Sequence, residues 1–255
     1  MGSRLGALLS IGSVIVFLLV WQVASTWFID PFFLPPPSAV ASGGWELITT
    51  HTIFTAIGVS LGRILAGWLL GSIIAIPIGL IVGSFAPARS IVDPFVHFFR
   101  FVPAIALVTL FIVWFGVGEV SKILLIAYAT AFIVVVNTAS GVSSIPAEKL
   151  DAARCLGASR RQVFLHVVIP ASLPSIYVAM RLALASSFLV IVAAEMLAAD
   201  SGLGYLIWTS RLYFRIDWMF AALVTLGLLG FTCDWLWKLL GRTTLERYLR
   251  NALRY

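Results

Sequence analysis

From Ile53 to Phe85 the chain reads IFTAIGVSLGRILAGWLLGSIIAIPIGLIVGSF, with Arg63 as its one charged residue. A bilayer core about 30 Å thick is crossed by about 20 consecutive apolar residues, so this run is long enough to span with length to spare. Backbone amides in lipid have no water to bond, which makes the run a helix. Gly58/Gly62, Gly67/Gly71 and Gly79/Gly83 are three small-xxx-small pairs, each expected to let a second helix backbone come close.

The rest of the 255-residue chain agrees with that reading. It is 61% hydrophobic and 11% charged, with mean hydropathy +1.04, whereas soluble domains carry roughly 25% charged residues. The expected fold is an all-α membrane protein of six transmembrane helices in a single domain over 1–255. Spans are expected at about 5–28, 55–85, 101–115, 121–140, 175–198 and 218–240, with a polar loop at 143–170. The first apolar segment is longer than a secretory h-region, so it is expected to stay as a span. After it, Asp30 to Ser38 is rich in proline and aromatic residues and reads as a loop at the membrane surface. Ala86 to Arg100 reads as a polar connection.

The net charge of +6 does not point to nucleic acid, because the basic residues lie at the ends of apolar segments rather than in one run. If both termini are cytoplasmic, the inside holds Arg4, Arg89, Arg100, Lys149, Arg154, Arg160, Arg161, Lys238, Arg242, Arg247, Arg250 and Arg254, against Lys122, Arg211 and Arg215 outside. Arg63 and Arg181 fall in or near apolar segments, and snorkelling to an interface is their expected arrangement, with an intramembrane function as the alternative. Cys155 and Cys233 sit in unlike surroundings and belong to no metal or disulfide pattern.

The polar loop has helical grammar. Pro146 suits a first helical turn, Glu148 and Asp151 suit the N-terminal half, Arg154 suits the C-terminal half, and Gly157 can take a left-handed stop. Ala152 and Ala153 offer a small surface beside Leu150. Ser159 to Gln162 fits a capping box, so a second helix is expected to lead back towards the membrane until Pro170 interrupts it.

Asp151-Ala152-Ala153, then Gly157, then Val167-Val168-Ile169-Pro170 resembles the EAA loop of ATP-binding cassette importer permeases, with Asp151 where that family usually has Glu. Phe33-Leu34-Pro35-Pro36-Pro37, Trp114 to Glu119 with Ser121-Lys122, Ala194-Glu195-Met196 and Gly202-Leu203-Gly204-Tyr205 resemble the nitrate, sulfonate, taurine and bicarbonate branch. Phe101 and Ala104 stand where the taurine type more often has Pro. The resemblance implies a type I importer permease fold, with Ala147, Glu148, Leu150, Asp151, Ala152, Ala153, Arg154 and Gly157 forming a coupling helix that docks an ATPase subunit. It also implies a second copy of the chain, two ATPase subunits, a periplasmic or lipid-anchored binding protein, and a place in a bacterial inner membrane. The cargo it implies is a small anion, with another small organic solute, such as an aromatic carboxylate or vitamin precursor, as the alternative.

No phosphate-binding G-x-x-x-x-G-K-[ST] occurs, so no cofactor is expected on this chain, and ATP with Mg is expected on the partner subunits. Polar residues within spans are the path candidates: Asn137, Thr138, Ser140, Ser186, Ser187 and Glu195. Gly202, Gly204, Tyr205, Arg211 and Arg215 are candidates for an outer gate or binding-protein contact, the two arginines sharing a helix face four residues apart. His51, His97 and His166 are scattered and form no hydrolase or metal motif, which argues against an embedded enzyme. A secondary transporter would need coupling carboxylates, for which Glu195 is the deep candidate.

Overall fold

The computed structural model describes residues 2–244, so Arg247, Arg250 and Arg254 lie outside the described residues. Its helices are α1 (Gly2–Trp27), α2 (Pro37–Thr49), α3 (Thr52–Ser84), α4 (Ala86–Phe99), α5 (Val108–Phe115), α6 (Glu119–Ser143), α7 (Ala147–Cys155), α8 (Arg160–Val163), α9 (Ile169–Ala198), α10 (Leu203–Leu212) and α11 (Ile216–Thr244). Among the described residues five helical runs are long and apolar enough to cross a membrane, and the bent pair spanning residues 86–115 brings the number to six when counted as one broken span. The all-helical, six-span expectation therefore holds.

The centre is a three-helix packing of α3, α6 and α9 around Ile64, Trp68, Ile126, Val134, Ala183 and Ile191. The long run that opened the sequence is held by its glycines. A Cβ on Gly67 would lie 2.6 Å from Ile126 Cβ, and one on Gly79 would lie 2.7 Å from Thr138 Cβ and 2.9 Å from the Val135 carbonyl. Gly71 and Gly83 meet α6 in the same way, so four glycines at helical spacing form one seam against one partner. Gly58 and Gly62 have nothing within 4 Å and take no part. We expect Gly79→Val to destabilise the protein by about 1–3 kcal/mol through overpacking, and Gly58→Ala to change it by less than about 0.5 kcal/mol. Thermal unfolding of the two purified variants checks this, and equal midpoints would remove the seam's role.

Three expectations need correction. First, residues 86–100 are not a polar connection outside the spans but a helix, α4, packed on the core. Val92 and Val96 pack α4 onto the central cluster, Arg89 donates to Ser143 Oγ at 2.6 Å and Phe99 stacks on Phe132, so α4 climbs along α6 from its C-terminal end. The chain then bends by 84° before residues 104–115. Pro103 has no N–H for the Phe99 carbonyl that a continuing helix would bond, and that carbonyl accepts instead from Val102 N and from Tyr128 Oη at 2.9 Å. Arg100 is thereby carried to the middle of α6 rather than to an inside loop.

Second, Pro170 does not interrupt the return helix. Residues 160–198 run as one helix through a π-helical stretch at Phe164–Val168, where Ile169 N donates to the Phe164 carbonyl. The widened turn relieves the clash a proline ring makes in a regular helix.

Third, neither interior arginine snorkels. Arg181 forks onto Asp234 of α11, with Nε–Oδ1 at 2.5 Å, and Lys238 joins the same carboxylate at 3.1 Å. Arg63 is described below.

Candidate functional site

At one end of the molecule α7 stands clear of the spans. Its N-cap is Pro146, and Arg154 pairs with Asp151 at 2.9 Å along its exposed side. It ends in a pair of bonds from Ala158 N to the Ala153 carbonyl and from Gly157 N to the Arg154 carbonyl, with Gly157 at φ +82°. That Schellman ending needs a left-handed residue, which explains the glycine. Ser159 and Gln162 then form the expected capping box, with Ser159 N donating to Gln162 Oε1 at 2.8 Å. Ala147, Glu148, Asp151, Ala152, Arg154 and Gly157 are exposed, as is Leu156 at 89%. Leu150 turns the other way, onto the cluster of Leu80, Val142, Val168 and Ile176. It anchors the helix instead of forming part of its free face.

At the opposite end lies a buried ion cluster that sequence reading missed. Arg63 is 3% exposed. Its guanidinium grips Glu119 with two bonds of 2.6 Å, reaches Glu195 Oε1 at 2.8 Å and donates to the Ser201 carbonyl at 2.7 Å. Glu195, fully buried, also accepts from Ser60 Oγ at 2.8 Å and from Gly204 N at 2.8 Å. Lys122, 4% exposed, reaches Glu119 at 3.3 Å. Two cations and two carboxylates sum to zero, and each oxygen of the Glu195 carboxylate has a donor, which is the condition for holding charges out of water. The cluster ties α3, α6, α9 and the start of α10 together. Its signal in the sequence was Arg63 itself: a charge in an apolar run needs a partner, and Glu119 and Glu195 were the carboxylates at the matching ends of spans.

Glu195 therefore does not line an open path in this state. Gly202, at φ +113°, and Gly204 are buried directly against it, where a side chain on either would collide with the carboxylate. Tyr205 lines a cavity of about 690 Å³ beside them, together with Thr209, Ser210 and Arg215. Arg211 and Arg215 do not share a helix face, because α10 ends at Leu212 and Phe214 turns left-handed. Arg211 lies over the Trp208 ring at 5.2 Å. Arg215 bonds Asp217 and Glu46, which holds its own pKa up; its guanidinium and the Trp218 indole hold the Glu46 carboxyl below the usual range.

The remaining path candidates separate. Thr138 and Ser187 are fully buried, and Ser187 donates to the Ala183 carbonyl at 2.9 Å. Ser140 lines a small recess between α4 and α6. Asn137 and Ser186 face one cavity of about 650 Å³ at the bend of residues 100–103, together with Arg100, Tyr128 and Phe132.

Residues 75–245 match the family described as "Binding-protein-dependent transport system inner membrane component". The chain is 40% identical over 201 residues to a protein named "Probable ABC transporter permease protein" in Brucella melitensis, covering 79% of this chain and 82% of that one. It is 35% identical over 247 residues to the "Taurine transport system permease protein TauC" of Escherichia coli, covering 94% of this chain and 88% of that one. Among solved structures, the MetNI methionine ABC transporter in an inward-facing conformation superposes with a TM-score of 0.69 at 19% identity, covering 76% of this chain and 97% of that one. That likeness is one of fold.

Proposed function

The chain belongs to the family of binding-protein-dependent transport system inner membrane components and is a permease subunit of an ATP-binding cassette importer; from that premise we propose that it carries a small organic anion of the sulfonate type. Two copies form the path, the two α7 helices seat in two ATPase subunits on the cytoplasmic side, and a soluble binding protein delivers cargo at the α10 end. Both termini then lie in the cytoplasm, and ATP and Mg belong to the partner subunits.

The observation that most supports this reading is the continuity of the α7 element with the core. A capped helix, a Gly157 turn and a second capped helix lead without a break into residues 160–198, whose far end carries Glu195. A displacement imposed on α7 thereby has one continuous helical run along which to reach the ion cluster at the opposite end, the kind of element an ATP-driven two-state opening can use. The sulfonate reading is supported by the names of two relatives, a taurine permease matched over 94% of this chain and an aliphatic sulfonates permease matched over 91% of it.

The test is reconstitution. In proteoliposomes with the ATPase subunits and binding protein, taurine-loaded binding protein is expected to raise ATP hydrolysis severalfold and to drive taurine uptake only when ATP is present. Uptake driven by an ion gradient without ATP would overturn the importer assignment. A binding protein that holds only a neutral sugar would overturn the anion.

A further inference from the structure

Resting on the importer reading, we propose that Arg100, Ser186 and Asn137 form an anion contact at mid-depth of the path, selecting a small organic oxyanion such as a short alkylsulfonate.

The depth comes from the packing of α4. Arg89 is tied to Ser143 at the end of α6, while Phe99 stacks on Phe132 and its carbonyl accepts from Tyr128, both near the centre of α6. From Arg89 to Arg100 the helix rises roughly 16 Å, further than an arginine side chain can reach back to that end. Arg100 is exposed, and among the described residues it has no carboxylate within ion-pair distance and no side-chain hydrogen bond; its guanidinium lies 4.7 Å from the Phe101 ring centre. The other interior cations are all neutralised: Arg63 and Lys122 by Glu119 and Glu195, and Arg181 by Asp234. An unpaired cation at this depth belongs against a water-filled path rather than against lipid.

The cavity it faces is built for one end of a ligand to differ from the other. Arg100 offers a planar fork of N–H donors suited to an oxyanion. The Ser186 hydroxyl makes no hydrogen bond among the described residues, and Asn137 spends one N–H on the Ile133 carbonyl at 2.8 Å and keeps the second. The remaining wall is apolar, with Ile133, Val136, Leu189 and Val190 available to a short alkyl tail. Among the described residues no acidic side chain lines it, so none there repels an anion or recruits a cation.

The probe is ethanesulfonate, with dimethyl sulfone as its uncharged counterpart, added to the purified permease–ATPase complex without binding protein. Ethanesulfonate is expected to raise the unfolding midpoint of the wild-type complex by several degrees, and dimethyl sulfone is not. R100Q is expected to abolish the rise, R100K to keep part of it, and S186A to shift the half-saturating concentration upward severalfold. If R100Q does not assemble, R100K and S186A carry the same comparison. An equal rise in R100Q, an equal rise with dimethyl sulfone, or no rise in a wild-type complex that transports taurine would each overturn the site. Failure of the importer reading itself would appear elsewhere, as wild-type uptake that ignores ATP.

Discussion

Replacing Arg63 with methionine is expected to cost about 3–5 kcal/mol, because it strands a buried carboxylate whose counterion it removes. Glu195 is fully buried and would keep only Ser60 and the Gly204 amide as donors. Glu119→Gln leaves Arg63 paired with Glu195 but takes from Lys122, 4% exposed, its carboxylate partner, so it is expected to cost less than Arg63→Met and more than a surface substitution. Arg63→Lys should fall between, since one ammonium cannot make the two bonds to Glu119 and the bonds to Glu195 and Ser201 together. The double variant Arg63→Met/Glu195→Gln removes the stranded charge and is expected to recover most of the loss. Unfolding midpoints of the purified complex, taken at one scan rate because membrane complexes unfold irreversibly, close this cycle. A double variant no better than Arg63→Met would show that the cluster's worth is not electrostatic.

The same cluster limits how the protein can open at its α10 end. Its bonds join α3, α6, α9 and the first turn of α10, so these elements move together unless Arg63 lets go of Glu195 or Glu119. Glu119, the exposed member, is the bond that costs less to break, since its carboxylate can be rehydrated. Within the cluster the Arg63–Glu119 link is therefore the one released most cheaply, while the glycine seam still holds α3 to α6.

Local signals were legible where they act within one turn. Pro146, Gly157, Ser159 and Gln162 each stand where the sequence placed them, because caps are satisfied by neighbours a few residues away. The spans were legible from apolar length alone. What escaped depended on partners distant in sequence. Arg63 reads as a snorkelling residue until Glu195, 132 positions on, is brought to 2.8 Å. Ala86–Phe99 reads as polar until Val92 and Val96 meet the central cluster. Pro170 reads as a stop until the π-helical stretch before it makes room for the ring. Gly58/Gly62 and Gly79/Gly83 are equivalent motifs in the sequence, and only the packing of α6 separates them.

Placing a bulky side chain at Ala152 is expected to strip the ATPase subunits from the complex while leaving the permease folded. Ala152 is exposed and central on the free side of α7, between Glu148 and Leu156, so among the described residues Ala152→Trp points into open space and should change the protein's own stability by less than about 0.5 kcal/mol. A docked helix, in contrast, must seat that face in a groove, and losing a central contact of an interface costs about 2 kcal/mol or more, which is about 30-fold in affinity. Gly157 reaches the same outcome by another route. At φ +82° any residue with a Cβ is strained by roughly 1–2 kcal/mol, so Gly157→Val should loosen the turn that sets the angle of α7. Gly157→Asn should be tolerated better, because asparagine visits the left-handed region more readily. Retention of the ATPase on affinity-purified permease is therefore expected to fall in the order wild type, Gly157→Asn, Gly157→Val, with Ala152→Trp low despite a wild-type melting profile of the isolated permease. A surface reading of α7 predicts that separation of docking from folding; full ATPase retention in Ala152→Trp would mean that the helix is only a connector between spans.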